Sequence, residues 1–176
     1  MHSAFPARDD DAPEGEGDDA SSTTLLQQAR ERVEAGRKLV IYERDTGLFA
    51  YWFISLRCEE ECHRALRFGR PLSVAVIEPA LDTEPWMEAT DQITKALQKH
   101  LRKVDLAGYL GNGRFVLVLP ETDRAGALLF VERLRAFVPD IQAGAGGCPE
   151  DGETFNELYE TAAARLPDDE RPTPKS

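Results

Sequence analysis

The cysteines and one histidine are the side chains in this sequence with the strongest affinity for a transition metal. Cys58 and Cys62 are four residues apart and would share one face of a helix, and His63 follows directly. Zn²⁺ prefers thiolate and imidazole ligands, but a structural zinc site needs four of them. Cys148 lies far away in the sequence, in a segment expected to be a loop. We therefore interpret these cysteines as small, semi-buried residues with reduced thiols, and we expect no metal site.

A tight turn carries a second group of residues that could do chemistry. It lies in GYLGNGRFVLVLP, where Asn112-Gly113 separates two apolar runs and Arg114 follows at once. Asn-Gly in this setting is the strongest short hairpin signal, because a type I′ turn needs positive φ at both central residues. The sequence therefore predicts a hairpin with a permanently charged guanidinium beside its turn.

The charge of the chain is uneven and excludes several classes of partner. The net charge is −11, and residues 1–20 hold seven acidic side chains against Arg8 alone. Such a segment cannot bury enough apolar surface to fold, so we expect it to be disordered. An acidic chain argues against binding to nucleic acid or to an anionic membrane. The sequence also has no apolar run long enough to span a membrane and no signal-peptide core at its start, so we expect a cytoplasmic protein.

The hydrophobic pattern predicts a mixed α+β fold. From Leu72 onward the predicted order is β-α-β-β-α-β-α, which favours a ferredoxin-like, split βαβ domain. Its central, mostly antiparallel sheet would be flanked by helices and preceded by an N-terminal helix. The predicted helices are 23–38, about 49–67, 87–103, 121–138 and 154–166, and the predicted strands are 72–78, 104–110, 114–120 and 141–147. The predicted regions are a disordered acidic tail 1–22, a helix and linker 23–42, a domain 43–166 and a flexible tail 167–176.

Several sequence segments, in their order along the chain, resemble the GGDEF domain of diguanylate cyclases. These are bacterial enzymes that join two GTP molecules into cyclic di-GMP. The resemblance covers residues 43–166. It rests on DTGL at 45–48, EECHRALRFGRPLSVAVIE at 60–78 and RKVDLAGYLGNGRFVLVLPET at 102–122. The segments RAGALLFVERLRAFV and AGAGGCPEDGETFNELYETAAARL resemble the helix, strand and helix that follow in the family.

The resemblance implies that the catalytic signature is degenerate. The signature falls on Gly111-Asn112-Gly113-Arg114-Phe115, of which only the first Gly and the Phe match. The turn carboxylate that holds metal in the family falls on Gly113, and the next acid has become Arg114, which would repel Mg²⁺. Glu78 falls on the other metal carboxylate, and Ala50 falls on an Asn that contacts guanine. The loop after the first core strand is about eight residues shorter than in the family, within what a loop tolerates. We expect no cyclase activity and no Mg²⁺ or other cofactor.

The resemblance also implies a ligand site that survives. Many cyclases bind their product at an inhibitory Arg-x-x-Asp motif five residues before the signature, and Arg102 and Asp105 match it at that spacing. Arginine can bind guanine O6 and N7 with two donors, and a carboxylate can accept from N1–H and N2–H. An arginine that often assists falls on Arg133. Both arginines also have an interpretation without a ligand: Arg102 as a cation that stabilises a helix end, and Arg133 as an ordinary residue on a solvated helix face.

Two functions follow as hypotheses. In the first, an inactive GGDEF domain senses cyclic di-GMP through Arg102, Asp105 and Arg133 and signals to an unidentified protein, with ligand-linked dimerisation expected. In the alternative, the same fold is a scaffold for protein interactions that needs no nucleotide. A third hypothesis, GTP binding without turnover, is disfavoured by Ala50 and the short loop.

Overall fold

The computed structural model describes residues 27, 28, 30, 31, 41–80 and 86–167 of the chain. The chain divides into two units, residues 1–37 and 38–176. In the first unit the four described residues are helical, within the predicted helix 23–38; the rest of that helix and the acidic tail 1–22 lie outside the described residues. So does the C-terminal tail beyond Pro167, and the predicted domain boundaries stay a prediction.

The second unit is a five-stranded sheet with helices on both faces. The strands are β1 (Phe49–Ala50), β2 (Leu72–Pro79), β3 (Leu106–Tyr109), β4 (Phe115–Pro120) and β5 (Ile141–Cys148). The helices are α1 (Tyr51–Phe68), α2 (Trp86–His100), α3 (Arg124–Arg135) and α4 (Phe155–Ala164). The sheet order is β1-β3-β4-β2-β5, in which only the β1–β3 pair is parallel among the described strands. The predicted mixed fold with a mostly antiparallel sheet is confirmed.

The central strand β2 is buried along its whole length, as its continuous apolar run predicts. It pairs with β4 on one side and β5 on the other, with Val74 opposite Val118 and Gly146. Alternate residues along β2 and β4 point to opposite faces of the sheet. Ala75, Ile77, Leu117 and Leu119 pack with α2 and α3, and Leu72, Val74, Val116 and Val118 pack with α1 and α4.

Local signals fix most helix ends. Gly69 ends α1 in the left-handed conformation, with φ +59°, where glycine carries no steric penalty. Asp123 caps α3 by accepting the backbone N–H of Gly126 at 2.7 Å. Thr154 and Glu157 form a reciprocal capping box at the start of α4. These caps place the end of α1 and the starts of α3 and α4 within three residues of the predicted termini.

Several helix boundaries differ from the prediction. Helix α3 is shorter at both ends, Arg124–Arg135 against 121–138, and α4 ends at Ala164 rather than 166. Helix α1 begins at Tyr51, because Phe49 and Ala50 form β1 and pair with Gly108 and Tyr109. Helix α2 ends at His100, before the predicted limit of 103. The reason is at Arg102, whose backbone N–H is bound by the Asp105 carboxylate at 2.9 Å, which removes it from the helical hydrogen-bond ladder.

The cysteines lie in the core. Cys58 and Cys62 are fully buried on α1, more than the predicted semi-burial, with Sγ atoms 4.0 Å apart. Cys148 ends strand β5 and packs in the same cluster, so the expectation of a distant loop is wrong. Contact with Cys62 and burial raise the pKa of Cys58 far above its usual range, and burial raises the pKa of Cys148 to about 11. Both thiols therefore stay protonated and unreactive at neutral pH. Across residues 41–80 and 86–167, no helix has the length and apolarity needed to cross a membrane.

Candidate functional site

The Gly111–Arg114 turn has the predicted hairpin geometry. Asn112 and Gly113 have φ values of +51° and +70°, as a type I′ turn requires, and Gly111 is also positive at +84°. The backbone N–H of Arg114 donates to the carbonyl of Gly111 at 3.0 Å, and Leu110 N–H donates to the carbonyl of Arg114 at 2.8 Å. The two strands β3 and β4 are thereby held in register on either side of the turn.

An indole ring covers the position of Gly113. A Cβ atom built there would lie 2.4 Å from Cζ3 of Trp86, the first residue of α2. The backbone N–H of Gly113 also donates to the Tyr109 hydroxyl at 3.1 Å. Any side chain at position 113 would therefore require both a left-handed backbone and displacement of Trp86.

Glu78 and Arg114 form an ion pair between the end of β2 and the start of β4. The Glu78 side chain is 1% exposed, and Arg114 Nε donates to its Oε1 atom. Arg114 Nη1 also donates to the Tyr159 hydroxyl on α4 at 3.2 Å. The guanidinium thus already supplies positive charge at the carboxylate that the resemblance assigns to metal. Since Gly113 offers no ligand, these residues do not fit a divalent cation.

Arg102 and Asp105 form a closely paired unit at the start of β3. Asp105 Oδ1 accepts from Nη2 of Arg102 at 2.8 Å and from Nε at 3.2 Å. Its Oδ2 accepts from Nε at 3.0 Å and from the backbone N–H of Arg102 at 2.9 Å. The pair raises the pKa of Arg102 through the Asp105 hydrogen bond. Three N–H groups of Arg102 therefore bind the two carboxylate oxygens of Asp105, with the single Nε–H shared between them, and they use most of its acceptor capacity.

The burial of the two side chains is unequal. Asp105 is 2% exposed, whereas Arg102 is 55% exposed. Arg102 Nη2 also donates to Oγ1 of Thr122 at 2.7 Å and to the carbonyl of Pro120 at 3.3 Å. The carboxylate therefore lies beneath the guanidinium and orients it, and the guanidinium is the solvent-exposed part of the pair.

The three residues predicted from the motif lie around one cavity of about 320 Å³. Arg102 and Asp105 line it from the turn between α2 and β3, and Arg133 lines it from α3. Arg133 is exposed, with its Cζ atom 5.8 Å from the centroid of the Phe130 ring. The structure therefore brings the predicted ligand residues together; whether they bind a ligand stays a prediction.

Sequence reasoning missed several residues at these sites. Thr122 falls within the predicted helix 121–138 and His100 within the predicted helix 87–103, and neither is predicted as a site residue, yet both line the Arg102 cavity. Trp86, Tyr109 and Tyr159 contact the turn from three different elements. Tyr109 belongs to the hairpin itself, whereas Trp86 and Tyr159 reach the turn only when α2 and α4 pack against the sheet, so no motif spacing connects those two with it.

Comparison with known proteins identifies the family. The model of the GGDEF-like domain family matches residues 62–166, more than half of the chain. The chain therefore belongs to the GGDEF-like domain family. A search of the curated proteins finds none that matches.

Solved structures share the fold at low sequence identity. A sensory box/GGDEF family protein from Caulobacter crescentus is 20% identical, with a TM-score of 0.64 over 72% of this chain and 95% of that chain. The coiled coil and GGDEF domain of DgcB from Caulobacter crescentus, in complex with c-di-GMP, is 16% identical, with a TM-score of 0.68 over 82% and 88%. The diguanylate cyclase SiaD from Pseudomonas aeruginosa, in complex with its activator SiaC, is 23% identical, with a TM-score of 0.60 over 82% and 64%. These identities establish the fold alone.

Proposed function

We propose that this GGDEF-domain protein is a catalytically inactive, cytoplasmic receptor for cyclic di-GMP that signals through a protein partner. The observation that carries the proposal is the convergence of Arg102, Asp105 and Arg133 on one cavity. The chain as a whole has a net charge of −11, but two guanidinium groups lie at this cavity. The local positive charge suits an anionic ligand.

Arg102 is the group that would recognise the ligand. Its hydrogen bonds to Asp105 and Thr122 fix the plane of the guanidinium before a ligand arrives, which lowers the entropic cost of binding. In this arrangement Nη2 is used by Asp105 and Thr122, so Nη1 is the nitrogen that donates to guanine, at O6 or N7. Asp105 acts as a positioning residue, because its carboxylate is 2% exposed and is bound by three N–H groups of Arg102.

The signature turn supports inactivity. Joining nucleotides requires a divalent cation that bridges triphosphate oxygens and neutralises the charge that develops. Arg114 forms an ion pair with Glu78, the first of the two carboxylates that metal binding would need. Trp86 covers Gly113, the position of the second. These contacts, together with the missing carboxylate at position 113, support the proposed inactivity.

Two solved neighbours illustrate the proposed ligand and mode of output. The DgcB structure contains c-di-GMP, and SiaD was solved with an activator protein. By analogy we propose that ligand binding here changes the contact with a protein partner, and ligand-linked dimerisation is part of the proposal.

Calorimetric titration with cyclic di-GMP tests the proposal. We expect saturable binding with a dissociation constant of about 10 µM or tighter, and at least tenfold weaker binding in Arg102→Ala. Arg44→Ala is the matched control, because Arg44 is an exposed arginine in the turn before β1, away from the cavity. Absence of heat in the unaltered protein, or equal binding by Arg102→Ala, would refute a receptor of this type.

A second candidate function is a nucleotide-independent scaffold. It is favoured by the pairing of Asp105, since a buried carboxylate bound by three N–H groups of one neighbouring residue can have a purely structural role. A pull-down with and without cyclic di-GMP separates the two functions. The scaffold predicts the same partner in the same amount in both samples, and the receptor predicts a change that Arg102→Ala removes.

A further inference from the structure

A second cavity, of about 330 Å³, adjoins the one around Arg102 and Asp105. It is formed by the end of α2, by α3 and by the residues that follow α3. His100, Phe130 and Arg133 line both cavities. Ligand pockets usually measure about 300–1,000 Å³, so each cavity alone is near the lower limit. Together they offer room for a ligand with two bases.

A stacked pair of rings forms part of the second cavity. The His100 and Phe137 ring centroids are 4.1 Å apart, and their planes differ by 26°. Phe137 is 55% exposed, although it is a large apolar side chain. Lys99 Nζ lies over the Phe137 ring, 6.0 Å from its centroid, as a cation–π contact. Flat rings beside cations are the combination on which nucleic-acid bases stack.

His100 carries a second, independent sign of an incomplete site. Its Nε2 atom is buried and has no hydrogen-bond partner among residues 41–80 and 86–167. Buried polar atoms in native proteins are nearly always paired, and an exception calls for a physical reason such as a missing water or ligand. This atom belongs to the residue that lines both cavities.

We propose that His100 and Phe137 form a stacking platform for one base of the dinucleotide, while the other base binds at Arg102. The proposal rests on the proposed function and deepens it by adding two recognition residues. Arg133 lies between the two positions, where its guanidinium faces the phosphates that join the bases. A single dinucleotide would then bridge both cavities of one protein molecule.

The test is calorimetry with cyclic di-GMP on Phe137→Ala, Phe137→Tyr and the unaltered protein. Stacking on an aromatic side chain is lost in Phe137→Ala, so we expect affinity to fall about tenfold or more. Phe137→Tyr keeps the ring and should bind within about twofold of the unaltered protein. The matched control is Phe68→Ala, because Phe68 is an equally exposed ring, at 62%, at the end of α1 and outside both cavities.

A spectroscopic readout separates stacking from a structural effect. On ligand addition the NMR signals of the Phe137 ring protons should shift upfield, since a base above the ring adds its ring current, and the Phe68 signals should not move. Unchanged affinity in Phe137→Ala together with unmoved Phe137 signals would overturn the platform while cyclic di-GMP still binds the unaltered protein. Absence of binding by the unaltered protein would overturn both the platform and the proposed receptor.

Discussion

The ion pair between Glu78 and Arg114 makes a quantitative prediction about stability. Replacing Arg114 with methionine keeps a long side chain but removes the guanidinium from a carboxylate that is 1% exposed. The hydrogen bond from Arg114 to the Tyr159 hydroxyl is lost as well. If the guanidinium compensates the charge of Glu78 in this fold, its removal must lower the free energy of unfolding much more than the loss of an ordinary surface ion pair does.

The expected magnitude follows from burial. Removing one partner of a buried pair costs about 3–5 kcal/mol, because a charge stays behind in a poorly solvated place. Arg114 is itself 33% exposed, so water can partly replace it, and we expect the lower end, about 3 kcal/mol. For a chain of this size that corresponds to a fall in Tm of roughly 6–12 °C.

Urea unfolding followed by circular dichroism measures the free energy of unfolding of Arg114→Met. The matched control is Arg70→Met, which breaks a pair with Glu121 in which both side chains are 61% exposed and which should cost less than about 1 kcal/mol. Adding Glu78→Gln to Arg114→Met removes the remaining charge and should recover at least half of the loss. Equal, small losses for Arg114→Met and Arg70→Met would refute the role of Arg114 as compensating cation.

Three further predictions concern other parts of the fold. Gly113→Ala should destabilise the protein by about 2–3 kcal/mol in urea unfolding, and the loss should be smaller in a Trp86→Ala background, because the added Cβ meets the indole ring. An equal loss in both backgrounds would contradict the steric reason. Asp151 has a pKa lowered to about 2 by its hydrogen bonds with Arg165, so its contribution is present above its unfolded value of 3.8 and is lost as pH falls towards 2. Between those pH values the Tm of the unaltered protein should fall more steeply than that of Asp151→Asn, and parallel curves would contradict the pairing. Thr154→Ala removes the cap of α4 and should cost about 1 kcal/mol in urea unfolding, whereas no change would contradict the capping box.

The sequence was sufficient to predict those elements of the fold whose signals lie in neighbouring residues of the chain. The continuous apolar run of β2, the Asn112-Gly113 turn and the glycine that ends α1 each depend on neighbours in the chain. The early end of α2 was missed because its cause is a side chain that competes with the helix: Asp105 binds the backbone N–H of Arg102. Strand β1 was missed because two residues carry no periodicity, and their partner in the sheet lies far along the chain.

The candidate site was predictable only in part for the same reason. The Arg102 and Asp105 spacing indicated which residues to consider, but not that three N–H groups of Arg102 already bind the Asp105 carboxylate. The replacement of a carboxylate by Gly113 was visible in the sequence, whereas the indole of Trp86 above it was not. His100 and Phe137 meet through the packing of α2 against α3, and no short pattern encodes that contact.

The most direct test of the central proposal is to map cyclic di-GMP onto the protein by NMR, following backbone amide signals during a titration. The receptor proposal predicts that the shifted amides cluster at residues 100–105, 119–126 and 130–137, around the two adjoining cavities. Glu78 and the turn from Gly111 to Arg114 should stay unchanged, since the ion pair and Trp86 close that position. Shifts centred on Glu78 and the turn, or no shifts at a ligand excess, would contradict the proposal.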